Sequence, residues 1–378
     1  MNDYLKNKFK VWWLGSCYIF LTSGFLTTLY IYFVKRNIDI KEILLAEFFG
    51  AVTVSLIIFY KRKWHTHHTF WLAFSLMAIA LLILFLPLPI KYLLILYTAV
   101  AYSGTILFFV PFNVLFFKEG NKSKNLQHIT FYWAIMIIGG IVGPLVGGYL
   151  LASVNLIYFV LVSFLILLFV VCLVKYLPVE IYLVEKKKLF STLKGFRTIT
   201  ILDGALHKVN TITIVILSLQ FITNAFSFGK FLSLVSLVAL VFSWQTAKIS
   251  DRLNQRMFFL WPLCMVTGLV TFSLYFATSF YLFVALALVL KALTIMLEPM
   301  RSNILQDKAD KNNPLTWISR ELFLNSGRSV LWLTAFVLWY FNWQSLLFII
   351  MGSLYLIFPI LVRYKNVYVA KSIIPAIN

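Results

Sequence analysis

Acidic residues are scarce in this chain of 378 residues. It has 13 Asp and Glu against 33 Lys and Arg, and charged residues make up only 12% of the sequence. Hydrophobic residues make up 61%, and the mean hydropathy is +0.90. A water-soluble domain cannot bury that much apolar surface. The composition therefore excludes a soluble globular protein and indicates an integral membrane protein.

Cysteine is also rare, with three residues that all lie in apolar stretches, at Cys17, Cys172 and Cys264. Isolated thiols of this kind give neither a disulfide framework nor a metal-binding signature. The sequence lacks the glycine-rich loop with Lys-Ser or Lys-Thr that holds ATP phosphates, and it lacks a Ser-His-Asp or paired-carboxylate arrangement. We expect no cofactor, no metal and no enzymatic activity.

What the chain does have is twelve apolar stretches, each long enough to cross a bilayer, which takes roughly 20 helical residues. Helices are expected because lipid offers no partner to unpaired backbone groups. The predicted spans lie near residues 11–34, 42–60, 69–90, 92–117, 128–151, 155–177, 207–224, 230–247, 257–277, 280–298, 316–340 and 344–363.

Most of the Lys and Arg residues fall in the loops of one side, for example at Lys61–Lys63, Lys118–Lys124 and Lys186–Lys188. The positive-inside rule makes that side cytoplasmic and places both termini there. The net charge of +20 then reflects attraction to an anionic lipid surface, and we expect no nucleic-acid partner. We predict a monomeric, multi-pass protein of the cytoplasmic membrane.

The longest polar stretch, near residues 175–206, divides the spans into two groups of six. The predicted units are a first bundle at 1–178, a cytoplasmic loop at 179–206 and a second bundle at 207–378.

A weak internal repeat supports this division. Pro111 and Pro299 end the fourth and tenth spans, Gly139 and Gly327 lie in the fifth and eleventh, and both pairs are 188 residues apart (299 − 111 and 327 − 139). Six-plus-six halves place a substrate cavity between them.

Two motifs extend the pattern. The fifth span contains Gly139, Gly143, Pro144, Gly147 and Gly148, and the loop after the eighth contains Ser250, Asp251, Arg252 and Arg256. Over its whole length the chain resembles the major facilitator superfamily. The first motif is similar to that of exporters that exchange drugs for protons, and the second to the superfamily's cytoplasmic loop signature.

The resemblance implies an all-α integral membrane fold of two six-helix bundles. It also implies alternating access around a central site lined by spans one, four, seven and ten.

Each motif also has a plainer interpretation. Small residues at helical spacing let two backbones approach closely, so the glycines indicate packing as well as export. Asp251, Arg252 and Arg256 form either a gate, together with Arg301 and Arg320, or a solvated loop cluster. The first-half loop, Lys61 to His68, carries no acid, and the fourth span offers Tyr102 where proton-coupled exporters usually carry arginine.

Ionisable residues inside a membrane are costly and indicate function. Glu298 and Glu321 are expected to pair with Arg301 and Arg320, which leaves Lys291 and Arg328 free to bind a carboxylate or phosphate. The alternative is an internal salt-bridge network without a ligand. The full set of predicted substrate-binding residues is Lys291, Arg328, Asn325, Thr294, Gln220, Thr27 and Tyr102.

Proton coupling has three candidates, Glu47, Glu298 and Glu321. Glu47 lies near the outer boundary in this prediction and could instead reach lipid headgroups.

The predicted function is secondary transport of a small organic molecule, as proton-coupled export. Uptake or uniport of an organic anion is the first alternative. A sensor or scaffold that keeps a transporter fold is the second.

Overall fold

A computed structural model describes residues 3–118, 125–253, 256–308, 313–365 and 367. Residues 3–10, 23, 117–118, 125–136, 243–253, 256–258, 303 and 305–308 are described by their backbone alone.

Within these described residues, twelve long helical segments, numbered α1 to α12 in chain order, make up the fold. The first, α1, is Asp3–Ile19, which continues through a π-helical segment, Phe20–Phe25, and a 3-10 turn, Leu26–Thr28, into Leu29–Val34. The others are α2 Ile40–Tyr60, α3 Thr66–Ile83, α4 Ile90–Lys118, α5 Asn125–Ser153, α6 Leu156–Val174, α7 Arg197–Asn210 with a π-helical extension Thr211–Ile216, α8 Ala225–Leu253, α9 Arg256–Ser273, α10 Phe280–Lys308, α11 Pro314–Tyr340 and α12 Gln344–Tyr364.

These helices suit a bilayer. Within the described residues, eleven segments are long and apolar enough to cross a membrane, and α5 contributes the apolar stretch Ile137–Ser153. Large apolar side chains such as Leu165, Leu168 and Ile360 face outward and are more than half exposed, as lipid contact requires. The prediction of an all-α membrane protein with twelve spanning helices is confirmed.

The seventh span is where the sequence prediction is wrong. It begins at Arg197 and ends at Ile216, whereas the sequence placed it near 207–224. Polar and charged residues, including Thr200 and Asp203, lower the hydropathy of its first half, which made that half look like a loop. Because the helix begins ten residues earlier, these side chains lie inside the bundle.

Contacts between helices follow the two-bundle arrangement. In the first bundle, α1 packs on α5 and α6, and α4 packs on α2 and α3. In the second, α7 packs on α11 and α12, and α9 and α10 pack on each other. The bundles meet where α5 crosses α8 and where α2 crosses α11. Helices α5 and α11 therefore each contact both bundles.

Glycines permit the close approach of α5 to its neighbours. A Cβ atom added to Gly143 would lie 2.7 Å from the Gly24 Cα atom of α1, and one added to Gly147 would lie 2.9 Å from the Phe25 oxygen. On the other face, a Cβ at Gly148 would lie 3.1 Å from the Gly229 Cα atom of α8. Steric exclusion alone thus accounts for the glycine motif, in which Gly139 also contacts α1 and the Pro144 carbonyl faces Gly229.

The loops on the side with most basic residues, called here the basic side, carry a small sheet. Strand β1, Lys63–His65, pairs antiparallel with β2, Ile181–Leu183, and Trp64 lies opposite Tyr182. The strands join the loop after α2 to the segment after α6. Burial and the neighbouring Glu180 carboxylate raise the pKa of Tyr182.

Three histidines lie in and next to this sheet, His65 as the last residue of β1 and His67 and His68 in the first turn of α3. His65 Nδ1 accepts a hydrogen bond from the His68 N–H at 3.4 Å, and a ring nitrogen of His67 lies 3.0 Å from the Leu177 oxygen. Desolvation, followed by the neighbouring His68, His67 and Lys63, lowers the pKa of His65.

A short helix, Lys186–Ser191, follows the sheet and is called here the loop helix. Its Phe190 ring lies 6.2 Å from the Phe59 ring of α2 and 6.1 Å from the Phe323 ring of α11. The Ser319 hydroxyl of α11 donates a hydrogen bond to the Leu189 oxygen at 2.6 Å. The loop helix therefore contacts both bundles on the basic side.

Candidate functional site

A cavity of about 450 Å³ lies between the two bundles. Its lining comes from α1, α2, α4 and α5 on one side and from α7, α8, α10 and α11 on the other. Polar side chains face it from four helices in particular, namely Thr22, Thr27 and Tyr30 of α1, Tyr102, Thr105 and Asn113 of α4, His207, Lys208 and Asn210 of α7, and Arg320, Glu321, Asn325 and Arg328 of α11. This position suits a central substrate site.

Five of the seven residues predicted to bind substrate line this cavity, namely Thr27, Tyr102, Lys291, Asn325 and Arg328. The other two lie elsewhere.

The Thr294 hydroxyl is buried and donates a hydrogen bond to the Lys291 oxygen at 3.1 Å, so it serves its own helix. Gln220 is exposed in the turn after α7, because that helix ends four residues before it.

Glu321 is the acid at the centre of the α11 face. Its carboxylate lies 3.0 Å from Arg320 Nη1 and 3.7 Å from Arg328 Nη1. Asn113 of α4 donates a longer hydrogen bond to the same carboxylate at 3.4 Å, which joins the two bundles across the cavity. Pairing of Glu321 with Arg320 was expected, but the prediction that Arg328 is free is wrong, because one carboxylate can contact two guanidinium groups.

Arg328 nevertheless keeps unused hydrogen-bonding capacity. Its Nη1 atom donates to the Asn325 oxygen at 3.1 Å, while its buried Nε atom has no hydrogen-bond partner among the described residues. The Lys291 ammonium, on the facing helix α10, makes no hydrogen bond or ion pair within the described part of the chain, although the Lys291 backbone oxygen accepts from Thr294. The cavity therefore presents donors that the protein itself does not satisfy.

Arg301 pairs with an acid that the sequence analysis placed in a loop. Its Nε atom lies 3.4 Å from an Asp203 oxygen, and the two side chains are 2% and 8% exposed. His207, one turn further along α7, lies 3.7 Å from the other Asp203 oxygen. Glu298 is buried nearby, within electrostatic reach of both Lys291 and Arg301. Pairing of Arg301 with Glu298, as first expected, is replaced by pairing with Asp203.

Glu47 is the one carboxylate in the interior of the described first bundle, and it is 2% exposed. The Tyr30 hydroxyl donates to its Oε1 atom at 2.7 Å, and the Tyr102 hydroxyl donates to its Oε2 atom. Contact with lipid headgroups, one of the two interpretations left open above, is excluded by this burial.

Lys208 is the main residue that the sequence analysis missed. It lines the cavity, and its Nζ atom donates to the Tyr102 hydroxyl at 3.0 Å. The sequence did contain a signal for a helix in this region. The polar residues Asp203, His207 and Asn210 recur at the i, i+4, i+7 spacing of one helix face. The apolar residues Leu202, Leu206 and Val209 have the same spacing, one residue earlier. That pattern predicts a helix with one polar face, whatever its mean hydropathy.

The predicted gate is only partly visible. The side chains of Asp251, Arg252 and Arg256 lie outside the described residues. The two remaining members, Arg301 and Arg320, are held by Asp203 and Glu321 in the interior of the second bundle. Their observed partners place them with the central charge cluster.

Comparison with known proteins gives matches among solved structures. No family model matches the chain, and no curated protein matches its sequence. The crystal structure of the human organic anion transporter MFSD10 (TETRAN) superposes with a TM-score of 0.66 at 12% identity, covering 96% of this chain and 100% of the other. A bacterial homologue of the iron transporter ferroportin, in its outward-facing state, gives 0.64 at 12% identity, covering 97% and 99%.

The likeness extends over nearly the whole of each chain, and it confirms the fold that the resemblance implied. At such low identity it concerns the fold. This protein has the twelve-helix fold that the major facilitator transporters share.

Proposed function

We propose that the protein is a secondary transporter that moves a small organic anion across a membrane by alternating access. The observation that carries this proposal is the charge around the central cavity. Among the described lining residues, four cations, Lys208, Lys291, Arg320 and Arg328, face one carboxylate, Glu321. A cavity of low dielectric with excess positive charge favours an anion and disfavours a cation.

The wider charge distribution supports the same conclusion. Away from the helix ends, and leaving out the exposed Lys230 of α8, the described spans hold five cations, with Arg301 added to the four above, and four carboxylates, Glu47, Asp203, Glu298 and Glu321. The interior is therefore one positive charge in excess even with every carboxyl ionised and His207 neutral. An anion bound between Lys291 and Arg328 offsets that excess.

The two structural neighbours differ in their substrates and so help to choose between ligand classes. The human neighbour is an organic anion transporter, and the bacterial one is a homologue of an iron transporter. Within the described residues, no group of three or more His, Cys, Asp or Glu side chains could hold a metal ion. The cationic cavity favours the first comparison.

Proton-coupled export is the second candidate. A buried carboxyl beside the cavity, Glu47, favours coupling to protons. The direction rests on the glycine motif of α5, for which packing against α1 and α8 is a sufficient reason.

The test is counterflow in proteoliposomes with radiolabelled benzoate, lactate, succinate and phosphate, and with choline as a cationic comparison. We expect exchange of at least one anion and none of choline. Lys291→Gln and Arg328→Gln should each lower that exchange at least about tenfold, because each removes a charge facing the anion. Lys230→Gln is the matched control, since Lys230 lies exposed on α8 outside the cavity lining.

Exchange of choline, or anion exchange that survives both cavity substitutions unchanged, would contradict the proposal. A complete lack of flux for every compound would favour the sensor or scaffold interpretation instead.

A further inference from the structure

A chain of hydrogen bonds links an acid of the first bundle to a cation of the second. Glu47 of α2 accepts from the Tyr102 hydroxyl of α4, and the oxygen of that hydroxyl accepts from the Lys208 Nζ atom of α7 at 3.0 Å. The ammonium also lies over the rings of Tyr102 and Trp332, 5.2 Å and 5.6 Å from their centroids. Tyr102 therefore connects two charges that lie on opposite sides of the bundle interface.

Glu47 is buried, but it lies beside a second space that adjoins the central cavity. It lines a smaller cavity of about 100 Å³. That cavity and the central one share part of their lining, namely Thr22, Thr27, Tyr30, Tyr102 and Thr105. Water in the central cavity is thus separated from Glu47 by side chains that belong to both spaces.

A buried carboxyl is stable in two forms only. It is ionised next to a compensating cation, or it is protonated and neutral. Lys208 is a cation within electrostatic reach of Glu47, and Tyr102 hydrogen-bonds to both side chains. The same ammonium faces the central cavity, where it is one of the four positive charges available to a substrate.

We propose that Glu47, Tyr102 and Lys208 form one exchange unit, in which an anion that draws Lys208 away from Tyr102 makes Glu47 take up a proton. This inference rests on the proposed function, because it assigns the coupling ion to the same anion site. Proton and anion then bind together, so the protein carries them in the same direction. Exchange of a substrate for protons would need the opposite linkage, in which one displaces the other.

The proton is accounted for at each atom. A hydronium ion that reaches the cavity from the solution gives its proton to Glu47 Oε2 and becomes water, and the new carboxyl O–H donates to the Tyr102 hydroxyl oxygen. That oxygen has just lost the N–H of Lys208, so its acceptor site is open. The phenol keeps its own proton and turns it toward the cavity. No bond other than this O–H is made or broken within the protein.

The other ionisable groups around the unit are few. Tyr30 of α1 and Tyr97 of α4 face Glu47, and both are phenols. Arg328 of α11 acts electrostatically on Tyr102 and Lys208, and His207 neighbours Lys208 on α7. Arg328 is held by Glu321, so Lys208 is the cation of this set that is not paired directly with a carboxylate in the described structure.

The experiment measures proton uptake directly. Purified protein in detergent, lightly buffered and carrying a pH-indicator dye, is mixed with pH-matched benzoate, lactate, succinate or phosphate. For an anion that binds, we expect uptake approaching one proton per anion. Its affinity should fall as pH rises, by up to about tenfold per pH unit, which is the limit for one linked proton.

Substitutions separate the parts of the unit. Glu47→Gln should bind the anion with pH-independent affinity and take up no proton, while counterflow exchange of the anion continues. Tyr102→Phe keeps the ring but breaks the link to Lys208, so proton uptake per anion should fall at least severalfold. Tyr30→Phe is the matched control, because Tyr30 also donates to Glu47 but has no hydrogen bond to Lys208 among the described residues, and the linkage should persist.

Two results would overturn the inference. One is anion counterflow in the wild type with no proton uptake, or with proton release, which leaves the proposed anion transport intact. The other is undiminished proton uptake in Glu47→Gln, or its loss in Glu298→Gln instead. A wild type that neither binds nor exchanges any of the four anions would remove the proposed function and this inference together. Thermal melting of each variant shows whether it is folded.

Discussion

The two bundles share a helical layout but not a chemistry. In its described part, the interior of the first bundle holds one carboxylate, Glu47, and no cation, whereas the second holds five cations and three carboxylates. The first bundle contributes phenols, an amide and the glycines that bring α5 close to its neighbours. Under the proposed function, the charge of a substrate would therefore be met mainly by the second bundle.

The largest expected effect comes from removing one partner of the buried Asp203–Arg301 pair, which tests whether the second bundle depends on its internal charges. Asp203→Asn or Arg301→Gln leaves the other charge buried and uncompensated, because both are almost fully buried. We expect each change to lower the free energy of unfolding by about 3–5 kcal/mol. Thermal melting in detergent measures this loss.

The double variant is the control for this pair. Asp203→Asn combined with Arg301→Gln should recover part of the stability, because no isolated charge is left buried. If the double variant instead lost as much unfolding free energy as the two single variants together, the two side chains would not stabilise each other.

The next prediction concerns competition within the second bundle. Glu321 lies 3.7 Å from Arg328 and so competes with a bound anion for that guanidinium group. Glu321→Gln should tighten anion binding about tenfold, a change of roughly 1.4 kcal/mol, and slow anion release. Radiolabelled benzoate binding and counterflow rates measure the two effects. Weaker binding would mean that Glu321 orients Arg328 for the anion.

A substitution at a packing position of the first bundle should change the stability of the protein and leave its preference among anions unchanged. Gly143→Ala places a methyl group 2.7 Å from two backbone atoms of α1, so α1 and α5 must move apart. We expect a loss of about 1–3 kcal/mol in the free energy of unfolding, with an unchanged order of preference among the four anions. Val146→Ala, at an exposed position of the same helix, should have a smaller effect. A change in anion preference would give α5 a direct part in recognition.

The smallest expected effect tests the contact between the bundles on the basic side. Ser319→Ala removes the 2.6 Å hydrogen bond to the Leu189 oxygen of the loop helix. We expect a cost of about 1 kcal/mol and faster proteolysis between residues 186 and 196. Ser326→Ala is matched to it, since the Ser326 hydroxyl bonds within its own helix at 3.0 Å. Equal proteolysis in both variants would show that the hydrogen bond does not hold the loop helix.

The spans and much of the cavity lining could be predicted from sequence because hydropathy and helical spacing are local properties. Lys291, Asn325 and Arg328 share the cavity as their positions on α10 and α11 suggest. The beginning of α7 could not be found by hydropathy, since Asp203 is tolerated in the bundle only because Arg301 of another helix pairs with it. Such pairing between distant segments is a tertiary property, and a window of neighbouring residues does not contain it.

The pairing of Glu321 shows the same limit at the level of single atoms. Depth along α11 correctly suggested that Glu321 meets Arg320, but it could not show that the same carboxylate also reaches Arg328. The link from Glu47 to Lys208 was equally hidden, because it passes through a tyrosine of a third helix.

The position of Phe190 limits how the two halves can separate. Its ring touches one aromatic residue from each half, Phe59 and Phe323, and the strand pair β1–β2 fastens the chain just upstream to the first half. A rocking movement that widens the molecule on this side must therefore detach this ring from one of the two. The connector between the halves therefore adds the cost of exposing one aromatic face to any such movement.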